Sequence, residues 1–128
     1  MADNQDILNA PDKTAEFDQQ DINQNKVMAI LAYFGILFLV PLLAAKDSKF
    51  AKFHANQGII LFICEIAACI VTFFLAFIFG LIKLGWLGSL LGYLLYLACG
   101  ILAILGIINA ANGKAKELPL IGKFNILK

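Results

Sequence analysis

The sequence predicts an all-α integral membrane protein: three transmembrane helices, with a short amphipathic interfacial helix between the first and second. Three observations carry that prediction. Apolar runs at 27–45, 58–82 and 84–111 fill more than half of the 128 residues, and the only charge inside them is Glu65. About 20 apolar residues in a helix match a hydrocarbon core of about 30 Å, so each run reaches or nearly reaches spanning length. The hydrophobic fraction of 61% and the mean hydropathy of +0.83 lie above globular averages. A soluble domain of this size has too little interior to bury three helices that are apolar all round.

Residues 1–25 read as a disordered acidic and polar tail. Asp3, Asp6, Asp12, Glu16, Asp18 and Asp21 lie there beside one lysine, Lys13. That acidic leader is the wrong n-region for a signal peptide, so the first run is expected to be retained. A membrane domain over 26–122 follows, and 123–128 form a basic end. Asp21 or Asn23 is placed to cap the helix that begins near Lys26. Within the first span, Pro41 predicts a kink that frees the Leu37 carbonyl, and in lipid a freed carbonyl needs a neighbour to satisfy it.

The segment 46–57, KDSKFAKFHANQ, is the most patterned polar stretch. Phe50 and Phe53 share a helical face, while Lys46, Lys49 and Lys52 recur at spacing three. A surface helix over about 47–57 would bury the phenylalanines and leave the lysines among headgroups. An ordinary charged loop is the plainer alternative.

Small residues mark packing seams. Cys64, Ala68, Thr72, Ala76 and Gly80 recur every fourth position in the second run. In the third run Gly85, Gly92, Cys99, Gly106 and Gly113 recur every seventh, with a GxxxG at Gly88 and Gly92. Small faces let helix backbones approach closely where lipid removes the hydrophobic drive. Both seams predict tight helix contact, within one chain or between copies. The ending KAKELPLIGKFNILK, broken by Pro119 and Gly122, reads as an interfacial segment and not a fourth span.

With three spans, Lys13, Lys26 and Lys83 share one side, and Lys46, Lys49, Lys52, Lys114, Lys116, Lys123 and Lys128 the other. The positive-inside rule then puts the N-terminus outside and the C-terminus in the cytoplasm of a bacterial inner membrane.

Few residues invite chemistry. Glu65 lies roughly 10–12 Å inside its run at helical rise. A charge at the centre of a bilayer costs about 2.5–3.5 kcal/mol on insertion scales, which makes such a group a functional candidate. A neutral carboxyl bonded to the Leu37 carbonyl is one reading, and a proton-carrying group is the other. His54, Gln57, Leu61 and Glu65 line one helical face, and Asn109 with Asn112 sits level with Gln57 at the end of the third span. His54, Gln57, Glu65 and Asn109 are thus the candidate polar residues, each weighed against a packing role. Cys64, Cys69 and Cys99 all lie in apolar runs without CxxC spacing, which argues against a disulfide framework or a metal site. The net charge of +1 offers nucleic acid no surface. No nucleophile–base pair, metal set or phosphate loop is visible, so neither catalysis nor a cofactor is expected.

The string FLVPLLAAKDSKFAKFHANQGIILFI, with the ending INAANGKAKELPLIG, resembles the Tic-twenty-like family of small membrane proteins. The residues that carry the resemblance are Pro41, Asp47, Phe50, Phe53–His54–Ala55, Gln57, Asn109, Gly113, Pro119 and Gly122. It implies a compact helical membrane module without enzyme activity. The members of that family in chloroplasts have four spans, and 84–111 is too short for two. The sequence thus reads as a structural or translocation-type module. It would act through helix association, as a homo-oligomer or with other membrane subunits, and offer a basic face to a partner or lipid. An oligomeric proton-linked carrier or small channel using Glu65 is the alternative.

Overall fold

The computed structural model describes residues 12–124, 126 and 127, and every regular element among them is helical. The helices are α1 (Gln19–Gln24), α2 (Lys26–Leu31), α3 (Leu39–Ala44), α4 (Lys49–Leu81) and α5 (Gly85–Ala111). Single 3-10 turns occur at Thr14–Glu16 and Gly35–Phe38, and one isolated antiparallel bridge pairs Asp12 with Lys116. The chain divides into two compact units, one drawn from Met1–Phe62 and Leu102–Lys128, the other from Ile63–Ile101.

Among the described residues, two helices are long and apolar enough to cross a membrane, α4 and α5. A third such helix, expected over 27–45, is not seen among the described residues, because the first run is broken. After Leu31 the N–H groups of Ala32, Tyr33 and Phe34 bond to carbonyls three residues back, and Gly35 then turns the chain at φ +58°. Glycine adopts that left-handed conformation without a Cβ penalty. The 3-10 turn and α3 follow. Pro41 is the third residue of α3, a position whose N–H would have no intrahelical partner in any case. It therefore does not kink a spanning helix, as the sequence had implied.

The two ends of this broken run meet in the first unit. Asp21 Oδ2 accepts from the Phe50 N–H at 3.0 Å, and Oδ1 accepts from the Ser48 hydroxyl. Ser48 Oγ in turn accepts from the Ala51 N–H at 2.9 Å. Both side chains thereby satisfy orphan donors at the start of α4. Asp21 thus caps α4 and not the helix at Lys26, whose N-cap Asn25 makes no side-chain cap bond.

One further expectation changes here. The interfacial helix over 47–57 is not a separate element, since α4 runs unbroken from Lys49. Phe50 is fully buried and meets the Phe17 and His54 rings edge to face at 6.3 and 4.8 Å. Phe53 is half-buried against Phe17, while Lys46, Lys49 and Lys52 stay exposed. Within the tail read from the sequence as 1–25, residues 19–24 form α1 and Ile22 is fully buried. Asp3 and Asp6 lie outside the described residues.

In the second unit a tight turn joins the helices. Lys83 takes φ +63°, its N–H bonds to the Gly80 carbonyl, and the Leu84 N–H bonds to that of Phe79 at 2.7 Å. This double bond around a left-handed residue is the Schellman closure, and α5 ends the same way in the first unit around Gly113. A Cβ at Gly88 would stand 2.5 Å from the Leu75 carbonyl oxygen, and one at Gly92 would overlap the Thr72 side chain. Ala68 and Cys99 are buried on these helices, Ala76 is half-buried, and Gly80 faces open space.

Candidate functional site

The polar chemistry of the described residues gathers on the first turns of α4. The segment after α5 has no regular structure, so its backbone groups need partners from elsewhere. Side-chain amides supply them, because an amide carries a donor and an acceptor as a peptide group does. Gln57 Nε2 donates to the Gly122 carbonyl at 2.9 Å, and its Oε1 accepts from the Leu118 N–H at 2.8 Å. Asn56 Nδ2 donates to the Phe124 carbonyl at 2.8 Å, while its Oδ1 accepts from the N–H groups of Ile126 and Leu127.

His54 is fully buried between two partners. Its Nε2 lies 2.8 Å from the Lys114 carbonyl, and its Nδ1 lies 2.6 Å from the Tyr33 hydroxyl. A carbonyl only accepts, so Nε2 carries the proton. Nδ1 then accepts from Tyr33, and the imidazole is neutral with both nitrogens satisfied.

The N-terminal segment is bound to the same place. The Lys13 N–H donates to the Ala115 carbonyl at 2.8 Å, and the Ala115 N–H donates to Thr14 Oγ1 at 2.9 Å. Lys13 Nζ pairs with buried Glu117 at 2.9 Å, and that carboxylate holds the ammonium above its usual range. Hydrogen bonds from Thr14 hold the Asp12 carboxyl below its usual range. Residues 12–14 and 114–117 therefore touch, whereas the sequence analysis places them on opposite sides of a membrane.

Two hollows flank this assembly. A groove of about 320 Å³ is lined by Lys13, Lys49, Lys52, Phe53, Asn56 and Glu117 among others. A more polar one of about 610 Å³ lies between 16–25 and 44–49 and presents Glu16, Asp18, Asp21 and Asp47 beside Lys46 and Lys49. No group of three or more His, Cys, Asp or Glu side chains is arranged to hold a metal among the described residues.

The structure thus brings His54 and Gln57 together with the C-terminal segment, and leaves the other candidates apart. Glu65 is half-buried on α4 in the second unit and makes no hydrogen bond among the described residues. The Asn109 backbone carbonyl accepts from Lys114, but its side chain bonds to nothing described, and neither does that of Asn112. Leu118, expected at an interface, is a core residue. Sequence reasoning passed over Asn56 and Tyr33. An asparagine inside a helix and a lone hydroxyl in an apolar run were the signals, since each needs a partner to be tolerated there.

Two apolar helices of spanning length, joined by a tight turn and carrying a hydrogen-bonded polar assembly on the first turns of α4, define a small helical membrane protein. Residues 24–125 match the magnetosome magnetite crystal formation protein family, MamF/MmsF, and the chain belongs to that family. Magnetosome protein MamF of Paramagnetospirillum magneticum is 31% identical over 101 residues, which covers 77% of this chain and 79% of the relative. Magnetosome protein MmsF of the same organism is 32% identical over 98 residues, covering 74% and 79%. A UPF0132 membrane protein of Methanocaldococcus jannaschii is 41% identical over 88 residues, covering 69% and 68%. No solved structure matches the chain. The family match corrects the Tic-twenty-like resemblance, because the FHANQ string on which it leaned lies inside the matched residues.

Proposed function

We propose that this chain is a non-enzymatic module of a magnetosome-type membrane that supports mineral crystal formation from the cytoplasmic surface. One observation carries the reading: the long-range polar bonds of the described residues gather around the first turns of α4. Of the nine lysines among the described residues, all except Lys83 belong to segments that fold with, or directly adjoin, the polar assembly. The positive-inside rule then places both described ends of the chain in the cytoplasm. The turn between α4 and α5, residues 82–84, carries one lysine and no carboxylate. Such a turn is a poor template for a mineral. Influence on a crystal would run through the membrane and its other proteins, which dock on the polar assembly.

The assembly also supports the absence of catalysis, because His54, Asn56, Gln57 and Tyr33 are all engaged in structural hydrogen bonds. Carriage of protons through Glu65 gains no support from its surroundings. The Thr72 hydroxyl bonds back to the Ala68 carbonyl at 2.7 Å, and Gly92 packs on the same side chain, so this seam is close-packed.

The test is complementation. Paramagnetospirillum magneticum lacking its MamF and MmsF would express this chain, with crystal sizes measured by electron microscopy. Partial restoration of crystal size is expected. Sizes unchanged from the deletion strain, with the chain present in the vesicle membrane, would sink the reading.

A further inference from the structure

We propose that residues 26–45 form a re-entrant hairpin inserted into a single leaflet, with lipid acyl chains as the partner of its exposed apolar rim. The inference goes beyond the functional reading and does not depend on it. The hydrogen bonds from Ser48 and the Phe50 N–H to Asp21 fix both ends of the run at one point. A chain that leaves and returns to the same point has not crossed a bilayer. Each arm holds about ten residues, or roughly 15 Å even if wholly helical, against about 30 Å for a hydrocarbon core. α2 and α3 pack on each other, and Gly35 at φ +58° supplies the reversal between them.

The composition suits lipid and not water. Between Lys26 and Lys46 the one polar side chain is Tyr33, and its hydroxyl is taken by His54. Val27, Phe34, Ile36, Leu37, Leu39 and Leu43 are exposed, with Leu43 at 69%. In water that would be a large apolar patch on a small protein. Charged residues flank both ends, Asp21 and Lys26 on one side and Lys46 and Asp47 on the other.

The depth follows from contacts with the two long helices. A Cβ at Gly58 would strike the Ala32 carbonyl, one at Gly106 would strike the Tyr33 ring, and the Phe38 and Phe62 ring centroids lie 5.5 Å apart. Gly58 opens the apolar stretch of α4, and Phe62 lies about 6 Å further along at helical rise. The hairpin therefore flanks the membrane-entry turns of α4. About 20 residues suffice to cross, and 62–81 supply them without it.

Single cysteines at Gln24→Cys, Asp47→Cys and Lys83→Cys, in a chain with Cys64, Cys69 and Cys99 replaced by alanine, test the topology. A membrane-impermeant maleimide applied to intact cells and to inverted membranes should label Gln24→Cys and Asp47→Cys from one face and Lys83→Cys from the other. Labelling of Gln24→Cys with Lys83→Cys, and Asp47→Cys from the opposite face, would restore a spanning first run and overturn the proposal. A fluorophore on Leu37→Cys in liposomes tests the insertion. Spin labels near the headgroup should quench it more than labels at the chain ends. Stronger quenching from the chain ends, or none from either, would also overturn it.

Discussion

The Tyr33 hydroxyl and His54 Nδ1 lie 2.6 Å apart in a fully buried contact, and they tie the apolar first run to α4. Tyr33→Phe leaves the buried imidazole nitrogen without a donor, which costs about 1–3 kcal/mol. His54→Phe removes both of its bonds and leaves the Tyr33 hydroxyl and the Lys114 carbonyl unpaired. A double-mutant cycle in detergent, read by thermal unfolding, should show coupling above about 0.5 kcal/mol between the two positions. Strictly additive losses would mean that the contact contributes nothing.

Gln57→Leu keeps the volume but strips the partners from the Gly122 carbonyl and the Leu118 N–H. Two orphaned buried backbone groups cost about 2–6 kcal/mol, and the loss falls on the C-terminal segment. Trypsin should therefore cut after Lys116 and Lys123 faster than in the parent protein, with Asn56→Leu acting in the same direction. Cleavage at the parent rate in both variants would show that these amides do not hold the segment.

What was legible in the sequence was decided by run length. α4 and α5 follow from uninterrupted apolar stretches. The first run misled because its composition equals that of a span. The difference lies in Gly35, whose positive φ ends a helix that hydropathy alone continues, and in Asp21, whose partners lie 27 and 29 residues away. Long-range pairing of this kind leaves no local trace. Phe50 was placed in lipid for a similar reason, since one helical face looks the same whether it meets acyl chains or Phe17.

Gly92 packs where any Cβ would overlap Thr72, while Leu94 is half exposed on the same helix. Gly92→Leu should force α4 and α5 apart within their unit and lower the detergent melting temperature by several degrees. Overpacking of this kind costs about 1–3 kcal/mol or more. Leu94→Phe should stay near the parent value. Equal melting of the two variants would remove the special role of the GxxxG seam.

Glu65 separates the structural reading from the carrier. Its side chain is half-buried within α4 and has no hydrogen-bond partner among the described residues, so no native bond depends on its charge. Glu65→Gln keeps the shape and a donor while it removes the ability to release a proton. On the structural reading the variant should insert normally, melt within about 0.5 kcal/mol of the parent and restore crystal size as well as the parent does. A carrier that used this carboxyl would retain its fold in the variant and lose pH-driven proton flux into liposomes, because an amide cannot cycle a proton. The decisive comparison is flux by the parent protein against flux by the variant and by empty liposomes. All three should be equal, and flux by the parent alone would sink the structural reading in favour of transport.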